Sequence, residues 1–238
     1  MHAYATYLAQ NGITYATLEE FEMRKALFAA AEARIQEHNS ANDENSFTVG
    51  HNQFSLMSAE EKSAMLKLDV EAMQQLQVEN SSRGEYVYLD TSNLPESVNW
   101  VDQGAVTTPK DQGTCGSCWT FASTGMMEAA YKKASGNLVT LSEQQILDCA
   151  TEDQYASGCS GGAIFSGLEF YVDNYALTGA SMPYQGVAAT CTQDDYMCHA
   201  TQAKVVDWNA VPYYSGDQMK AAIQVNPVGI AVNANNYF

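Results

Sequence analysis

The sequence predicts an α+β protein made of two successive parts, the first helical and polar, the second built around a cysteine-bearing core. Three observations predict it. Helix-start signals and helical periodicity run through about the first 90 residues. A helix opens at Cys118, behind a glycine-containing turn. Near the other end, Pro227-Val228-Gly229-Ile230-Ala231-Val232 has the composition of a buried strand.

Taken in order, Thr17-Leu18-Glu19-Glu20 has the form of a capping box, in which Thr17 accepts from the amide three residues on and Glu20 reaches back. The helix it opens sets Phe21, Phe28, Ala31 and Ile35 on one face, pairs Glu20 with Arg24 at i,i+4, and runs out near His38-Asn39-Ser40. Ser58-Ala59-Glu60-Glu61 is a second box, opening a helix expected to continue to about Gln77. Glu79 to Asn93 mixes Asn, Ser, Arg and Gly and reads as an exposed tether. The second part begins at Leu94-Pro95. Its helix from Cys118 runs to about Lys133, with Gly136 as the stop signal. Ser142-Glu143-Gln144-Gln145 caps a short helix ending near Cys149; Gly161-Gly162 precede a helix from Ala163 to about Tyr175; Asp217 to Val225 forms one more.

Hydrophobic residues make up 46% of the 238 and charged residues 16%, which supports a packed core and excludes wholesale disorder. The formal charge is −17, from 28 acidic and 11 basic residues. Nucleic acid and anionic membrane both need clustered Lys and Arg, so neither is expected as a partner. No apolar run is long enough to span a bilayer. Met1-His2-Ala3-Tyr4 has neither a basic nor an apolar leader segment, so no export signal is expected in this chain.

The candidate chemistry sits in Gln112-Gly113-Thr114-Cys115-Gly116-Ser117-Cys118-Trp119. A cysteine attacks carbonyls as a thiolate, and the unpaired amides of a helix's first turn favour that anion. An imidazole partner normally supplies the remaining stabilisation. Gln112 stands six residues upstream, where its carboxamide can donate to an oxyanion beside the Cys118 amide. Other uses of Cys-x-x-Cys fit less well. Zinc would need a second pair at ligand spacing, which Cys191 and Cys198-His199 do not provide. A redox dithiol would follow a strand, whereas a Thr107–Gln112 loop precedes this pair. All six cysteines (115, 118, 149, 159, 191, 198) lie in the second part; three bridges, or two bridges and two free thiols, both suit that count.

Cys115-Gly116-Ser117-Cys118-Trp119 is the local signature of papain and cathepsin cysteines, and the resemblance extends along the chain. Residues 94–238 resemble the mature part of papain-like cysteine peptidases. Leu94-Pro95 to Trp100 looks like the mature N-terminus. Ser142-Glu143-Gln144 with Asp148-Cys149, Gly158-Cys159-Ser160-Gly161-Gly162, and Pro183-Tyr184 with Cys191 follow in family order. Residues 1 to about 70 resemble the family's inhibitory propeptide. Its E-R-F-N-I-N helix appears as Glu20, Arg24, Phe28, Ala31, Ile35 and Asn39, with Ala31 replacing the first Asn. Its G-x-N-x-F-x-D element appears as Gly50, Asn52, Phe54 and Leu56, with Leu56 replacing Asp. This is similar to the cathepsin L-like branch.

The resemblance implies a papain-like two-domain fold, with a helical left domain and an incomplete β-barrel right domain, preceded by a helical propeptide. The divisions would be 4–70 for the propeptide domain, 71–93 for a linker cut near 85–94, and 94–238 for the peptidase domain. It implies Cys118 as nucleophile, Gln112 as oxyanion donor, and disulfides Cys115–Cys159 and Cys149–Cys191, leaving Cys198 spare. Gly161 and Gly162 would line substrate backbone, and Ala163, Ile164 and Ala231 an apolar pocket for side chains such as Leu, Val or Phe. The family's catalytic His and Asn match no residue of this chain, since His2, His38 and His51 fall in the propeptide-like part and His199 in a loop. The chain as written is therefore expected to be inactive. A propeptide-type inhibitor and a peptide-binding pseudo-peptidase are the alternatives. Partners would be protein or peptide substrates, with the propeptide as intramolecular inhibitor, in a lysosomal, vacuolar or extracellular setting. Acid would release the propeptide by protonating carboxylates such as Glu20. No metal or organic cofactor is implied.

Overall fold

The computed structural model describes residues 2–41, 47–68, 84–151, 153, 155–232 and 234. The chain forms two compact units, Met1–Ser63 and Ala64–Phe238.

In the first unit, helices α1 (His2–Gln10) and α2 (Leu18–Ala41) are followed by a 3₁₀ turn, Gln53–Leu56, and by α3 (Ala59–Met65), which carries the chain into the second unit. α1 places Tyr4, Tyr7 and Leu8 on one side, and these pack with Phe21, Phe28 and Leu56 in an aromatic core. Tyr4 and Tyr7 each lie 5.3 Å from Phe28 in tilted contact, and His51 stacks on the same ring at 4.0 Å. Burial pushes the Tyr4 phenol up to about 12. Thr17 Oγ1 accepts from the Glu20 amide at 3.2 Å, and the Ser58–Glu61 box is closed in both directions. Asn39, at the end of α2, bonds both backbone groups of Val49 at 2.8 Å each and so pins the following segment to the helix.

Arg24 keeps the i,i+4 pair with Glu20 read along the helix and adds a second, closer carboxylate. Glu20 lies 3.6 Å away, but the guanidinium makes its planar two-bond contact with Glu61, at 2.5 and 2.6 Å, and donates to the Leu56 carbonyl at 2.8 Å. Glu61 is 37 residues away in sequence, out of reach of a helical-spacing argument. Leu56 stands at the acidic position of the propeptide pattern and is buried. The Arg24 hydrogen bonds hold the Glu61 carboxyl down at about 2. A folded-state value below the unfolded one means stability that is complete above about pH 4.5 and is lost as pH falls towards 2. Glu61 is 40% exposed, so solvent screening reduces the pair to about 1–2 kcal/mol. Glu61→Gln should therefore speed amide exchange in α2 about tenfold at pH 6. It should change much less at pH 2, where the parent has lost most of the stability that the pair contributes. An equal effect at both pH values would refute this assignment. Between pH 5 and 6 the Arg24–Glu61 pair stays intact.

In the second unit, α4 (Cys118–Ser135) is the central helix, with Trp119, Thr120, Ser123, Thr124, Met127, Glu128 and Ala129 buried. It stops where Gly136 adopts φ +80 and its amide bonds the Lys132 carbonyl. α5 (Glu143–Cys149), capped by Ser142, and α6 (Ile164–Asp173) pack against it. α6 approaches α4 closely because Gly167 lies on Ser123, whose hydroxyl bonds the carbonyls of Trp119 and Ile164 at 2.7 Å each. α5 is polar but buried. Gln144, Gln145 and Asp148 bond the backbone of residues 175–189, fastening that long loop to the core. α7 (Gly216–Val225) is the last helix among the described residues. Extended segments meet at isolated bridges: Leu68 with Gly162, Tyr86 with Ala210, Leu141 with Thr178, Ala156 with Gly162, and Leu177 with Ala200.

Three sequence expectations are corrected. The helix opened by Ser58 ends at Met65, because Lys67 and Leu68 are captured as extended backbone against Gly162; residues 69–77 lie outside the described residues. The segment read as an exposed tether over 79–93 is exposed at 85–88 and 90–93, but at 84–89 its backbone bonds residues 208–218 of the same unit; residues 79–83 lie outside the described residues. The run 227–232 is not buried: Ile230 and Val232 are 60% and 62% exposed.

Candidate active site

Cys118 is the first residue of α4, and Ser117, fully buried, precedes it. Its half-buried thiol receives backbone amides from Trp119, from Cys118 itself and from Lys67. Burial outweighs these donors and pushes the thiol pKa up, so the sulfur here is protonated and quiet. Among the described residues no histidine acts on it. The described histidine of this unit, His199, is exposed at the end of a 3₁₀ helix, Gln193–His199.

Gln112 Nε2 donates to the Cys115 carbonyl at 2.8 Å and to the Met65 carbonyl at 3.2 Å. Its own backbone carbonyl accepts from the Tyr184 hydroxyl at 2.8 Å, and the same hydroxyl lies 2.6 Å from Ser117 Oγ. One phenol thus ties Gln112 to the residue preceding Cys118. The sequence placed Pro183-Tyr184 in the family pattern but missed this role, because the two contacts are 72 and 67 residues away.

Cys115 and Cys159 are joined by a disulfide, and the Gly116 amide bonds the Cys159 carbonyl at 3.0 Å, bringing Gly161 and Gly162 beside the Cys118 turn. The second disulfide joins Cys149 and Cys191. Cys118 and Cys198 are free thiols. Gly161 has φ +119, and a side chain there would collide with the Lys67 carbonyl. A side chain on Gly162 would come within 2.7 Å of the buried Trp119 ring. Ala163 and Ile164 are buried directly behind this ledge. Ala231 is exposed, two residues past Gly229, whose amide bonds Met126 Sδ and whose backbone lies near Ile164.

Residues 65–68 lie across the group just described. The Met65 carbonyl takes the Gln112 carboxamide, the Lys67 amide faces the sulfur, and the Lys67 carbonyl accepts from Gly162 at 3.3 Å with Leu68 parallel to Gly162. The sequence carried no local sign of this occupant.

The site therefore holds a free thiol at a helix N-terminus, beside the Gln112 carboxamide and covered by backbone of its own chain. Comparison with known proteins gives it a family. The "Papain family cysteine protease" model matches residues 94–238, and the "Cathepsin propeptide inhibitor domain (I29)" model matches residues 4–61. Ananain of Ananas comosus is 33% identical over all of this chain and 66% of its own length. Cathepsin L of Sarcophaga peregrina is 33% identical over 97% of this chain and 69% of its own. Among solved structures, a recombinant stem bromelain precursor superposes with a TM-score of 0.81 at 32% identity, covering 95% of this chain and 70% of that one. Digestive procathepsin L 3 of Tenebrio molitor gives 0.74 at 25%, covering 94% and 69%. The chain belongs to the papain family of cysteine proteases, of cathepsin L-like kind, has the papain-like fold and carries a propeptide inhibitor domain. It spans about two thirds of the length of ananain and of the Sarcophaga cathepsin L, and about half that of cysteine proteinase RD21A of Arabidopsis thaliana.

Proposed function

We propose that this chain is the zymogen form of a cysteine endopeptidase, with Cys118 as nucleophile and residues 65–68 as the inhibitory occupant of its cleft. The observation that carries the reading is the orientation of that occupant. An amide, that of Lys67, faces the Cys118 sulfur, while the neighbouring carbonyls are turned to Gln112 and Gly162. A thiolate attacks carbonyl carbon, so a backbone presented this way occupies the site without being cut.

With the occupant gone, a substrate carbonyl would take the place of Met65 at Gln112, and Gln112 Nε2 and the Cys118 amide would hold the developing oxyanion. The Cys118 sulfur would form the thioester as the amine departs. Proton transfer to that amine needs an acid, and no described imidazole acts on the sulfur. Residues 1–238 by themselves are accordingly proposed to acylate but not to turn over amides. Gly161 and Gly162 would admit substrate backbone closely, with Ala163, Ile164 and Ala231 shaping an apolar pocket. The division into propeptide domain 4–70, linker 71–93 and peptidase domain 94–238, with a helical lobe and a β-barrel lobe in the last, belongs to the same reading. So do protein substrates, and a lysosomal, vacuolar or extracellular setting, which the two disulfides suit. No helix among the described residues is long and apolar enough to cross a membrane.

The test uses a peptidyl nitrophenyl ester, whose leaving group needs no proton. After proteolytic removal of the prosegment, Cys118 should be acylated, seen as a mass increase on its peptide, and Cys118→Ala should abolish the adduct. A Cys118 that alkylates freely with iodoacetamide yet never acylates would overturn the nucleophile assignment. A rate of peptide hydrolysis by 1–238 that vanishes in Cys118→Ala would overturn the expected silence toward amides.

A further inference from the structure

Residues 84–89 are held on the peptidase unit by a site separate from the cleft. The Gly84 amide bonds the Trp208 carbonyl at 3.0 Å, the Ala210 amide bonds the Glu85 carbonyl at 3.1 Å, and Val87 bonds the Ala210 carbonyl at 3.4 Å, a parallel pairing centred on Tyr86 and Ala210. Gly84 has φ +78 and lies flat against the Trp208 ring, where any side chain would collide with the indole. Gln218, on the first turn of α7, closes the far end. Its carboxamide accepts from the Leu89 amide at 2.7 Å and donates to the Leu89 carbonyl at 2.9 Å, satisfying both backbone groups of one residue. Beneath the segment, Val87 and Leu89 help line a cavity of about 830 Å³ with Met126, Tyr131 and Leu168.

The chain then turns through Asp90–Asn93, all exposed, and is fastened again at Trp100, whose indole donates to the Ile223 carbonyl at 2.7 Å. A protease needs extended, unpaired backbone. Residues 84–89 have their backbone engaged at Gly84, Glu85, Val87 and Leu89, whereas 90–93 offer an exposed turn held by local bonds, from the Ser92 amide to Asp90 and from Asn93 Nδ2 to Ser92 Oγ. The bond open to cutting thus lies between two anchored points of the same unit.

We propose that 84–89 is a second anchor of the prosegment, so that a cut in the 90–93 turn leaves the prosegment bound, with 65–68 still over Cys118, until this anchor opens. The inference rests on the reading of 65–68 as the inhibitory segment. Two weak contacts on one chain act as a single strong one, because release of either leaves the other holding it near its site. Maturation would then be a two-step event, a cut followed by a dissociation whose rate the anchor sets.

The experiment places a recognition sequence for a site-specific protease within residues 90–93 of the full chain, cuts it at neutral pH, and follows release of the N-terminal fragment by size-exclusion chromatography. The cut parent is expected to co-elute. Gln218→Ala, which removes the clamp from α7, and Gly84→Val, which lifts the segment off Trp208, should each release the fragment at least about tenfold faster. Immediate release from the parent, unchanged rates in both variants, or a turn the protease cannot cut would each overturn the proposal. Gly161→Ala serves as the cleft control. If it leaves release unchanged while Gln218→Ala accelerates it, the anchor stands and the reading of 65–68 falls.

Discussion

Glu128→Ala is expected to lower the unfolding free energy of the peptidase unit by about 3–5 kcal/mol, measured by urea denaturation with tryptophan fluorescence. Glu128 is 1% exposed in the middle of α4, and both of its carboxylate oxygens accept hydrogen bonds. Its carboxylate accepts from Lys110 Nζ at 2.6 Å, from the Leu141 amide at 2.8 Å and from the Thr107 hydroxyl at 2.7 Å. Lys110 also bonds Glu143, which in turn accepts from Thr124. Burial pulls the Lys110 pKa down, but its bonds to the two carboxylates more than reverse this, and the ammonium titrates above its ordinary value. Stability from a raised lysine is present below the unfolded value and lost only at strongly alkaline pH, so the deficit should be the same from pH 5 to 8. Truncation leaves the buried Leu141 amide and the half-buried Thr107 hydroxyl without their acceptor, and it opens a void in the helix interface. Glu128→Gln keeps the volume and an acceptor, and should cost less than half as much. A loss under about 1 kcal/mol for Glu128→Ala would show that water enters and replaces the carboxylate. The cluster also bears on the site. Lys110 lies two residues before Gln112, so the same bonds fix the donor loop to the helix that carries Cys118.

How much of this was legible depended on whether the signal was local. The Cys118 helix and its stop at Gly136 are written in adjacent residues, as are the capping boxes at Ser58 and Ser142. The helix start near Thr17 is local too, although Glu20 closes only half of its box. α1 was within reach: Tyr4, Tyr7 and Leu8 have helical spacing, and only the absence of a cap around Met1 hid it. The remaining differences are contacts over long sequence distances. Residues 66–68 have no sequence feature that forbids helix; they are extended because Gly162 and the Cys118 turn bond their backbone. Glu61 joins the Arg24–Glu20 pair from another element, meeting the guanidinium edge-on while the helical neighbour stays at 3.6 Å. At the site, Cys118 and Gln112 could be singled out by residue type and spacing, but Tyr184 between them could not, since a phenol's two acceptors are set by the folded loop.

At pH 8, iodoacetamide should label Cys198 at least tenfold faster than Cys118 in the intact chain. Both are free thiols, but Cys198 is exposed, whereas Cys118 is half-buried beneath Lys67 with its pKa raised by that burial. Cys198 therefore serves as an internal reference for the state of the cleft. Gly161→Ala is expected to raise Cys118 labelling about ten- to hundredfold and leave Cys198 unchanged. The new methyl would collide with the Lys67 carbonyl, and φ +119 is closed to alanine, so either the ledge or the segment above it must move. The ledge is held by the Cys115–Cys159 disulfide and by the bond from the Ser157 amide to the Gly161 carbonyl. The segment is held over the site by its bonds to Gly162 and Gln112, at 3.3 and 3.2 Å, and by the Lys67 amide on the sulfur, so it is the part that yields. Lys67→Pro approaches the contact from the other side, removing the amide that faces the sulfur without touching the ledge. Unchanged Cys118 labelling in both variants would show that burial by the fold around α4, and not by residues 65–68, keeps the thiol quiet. An increase in both, with Cys198 constant, would locate the latency of this nucleophile in four residues of its own chain.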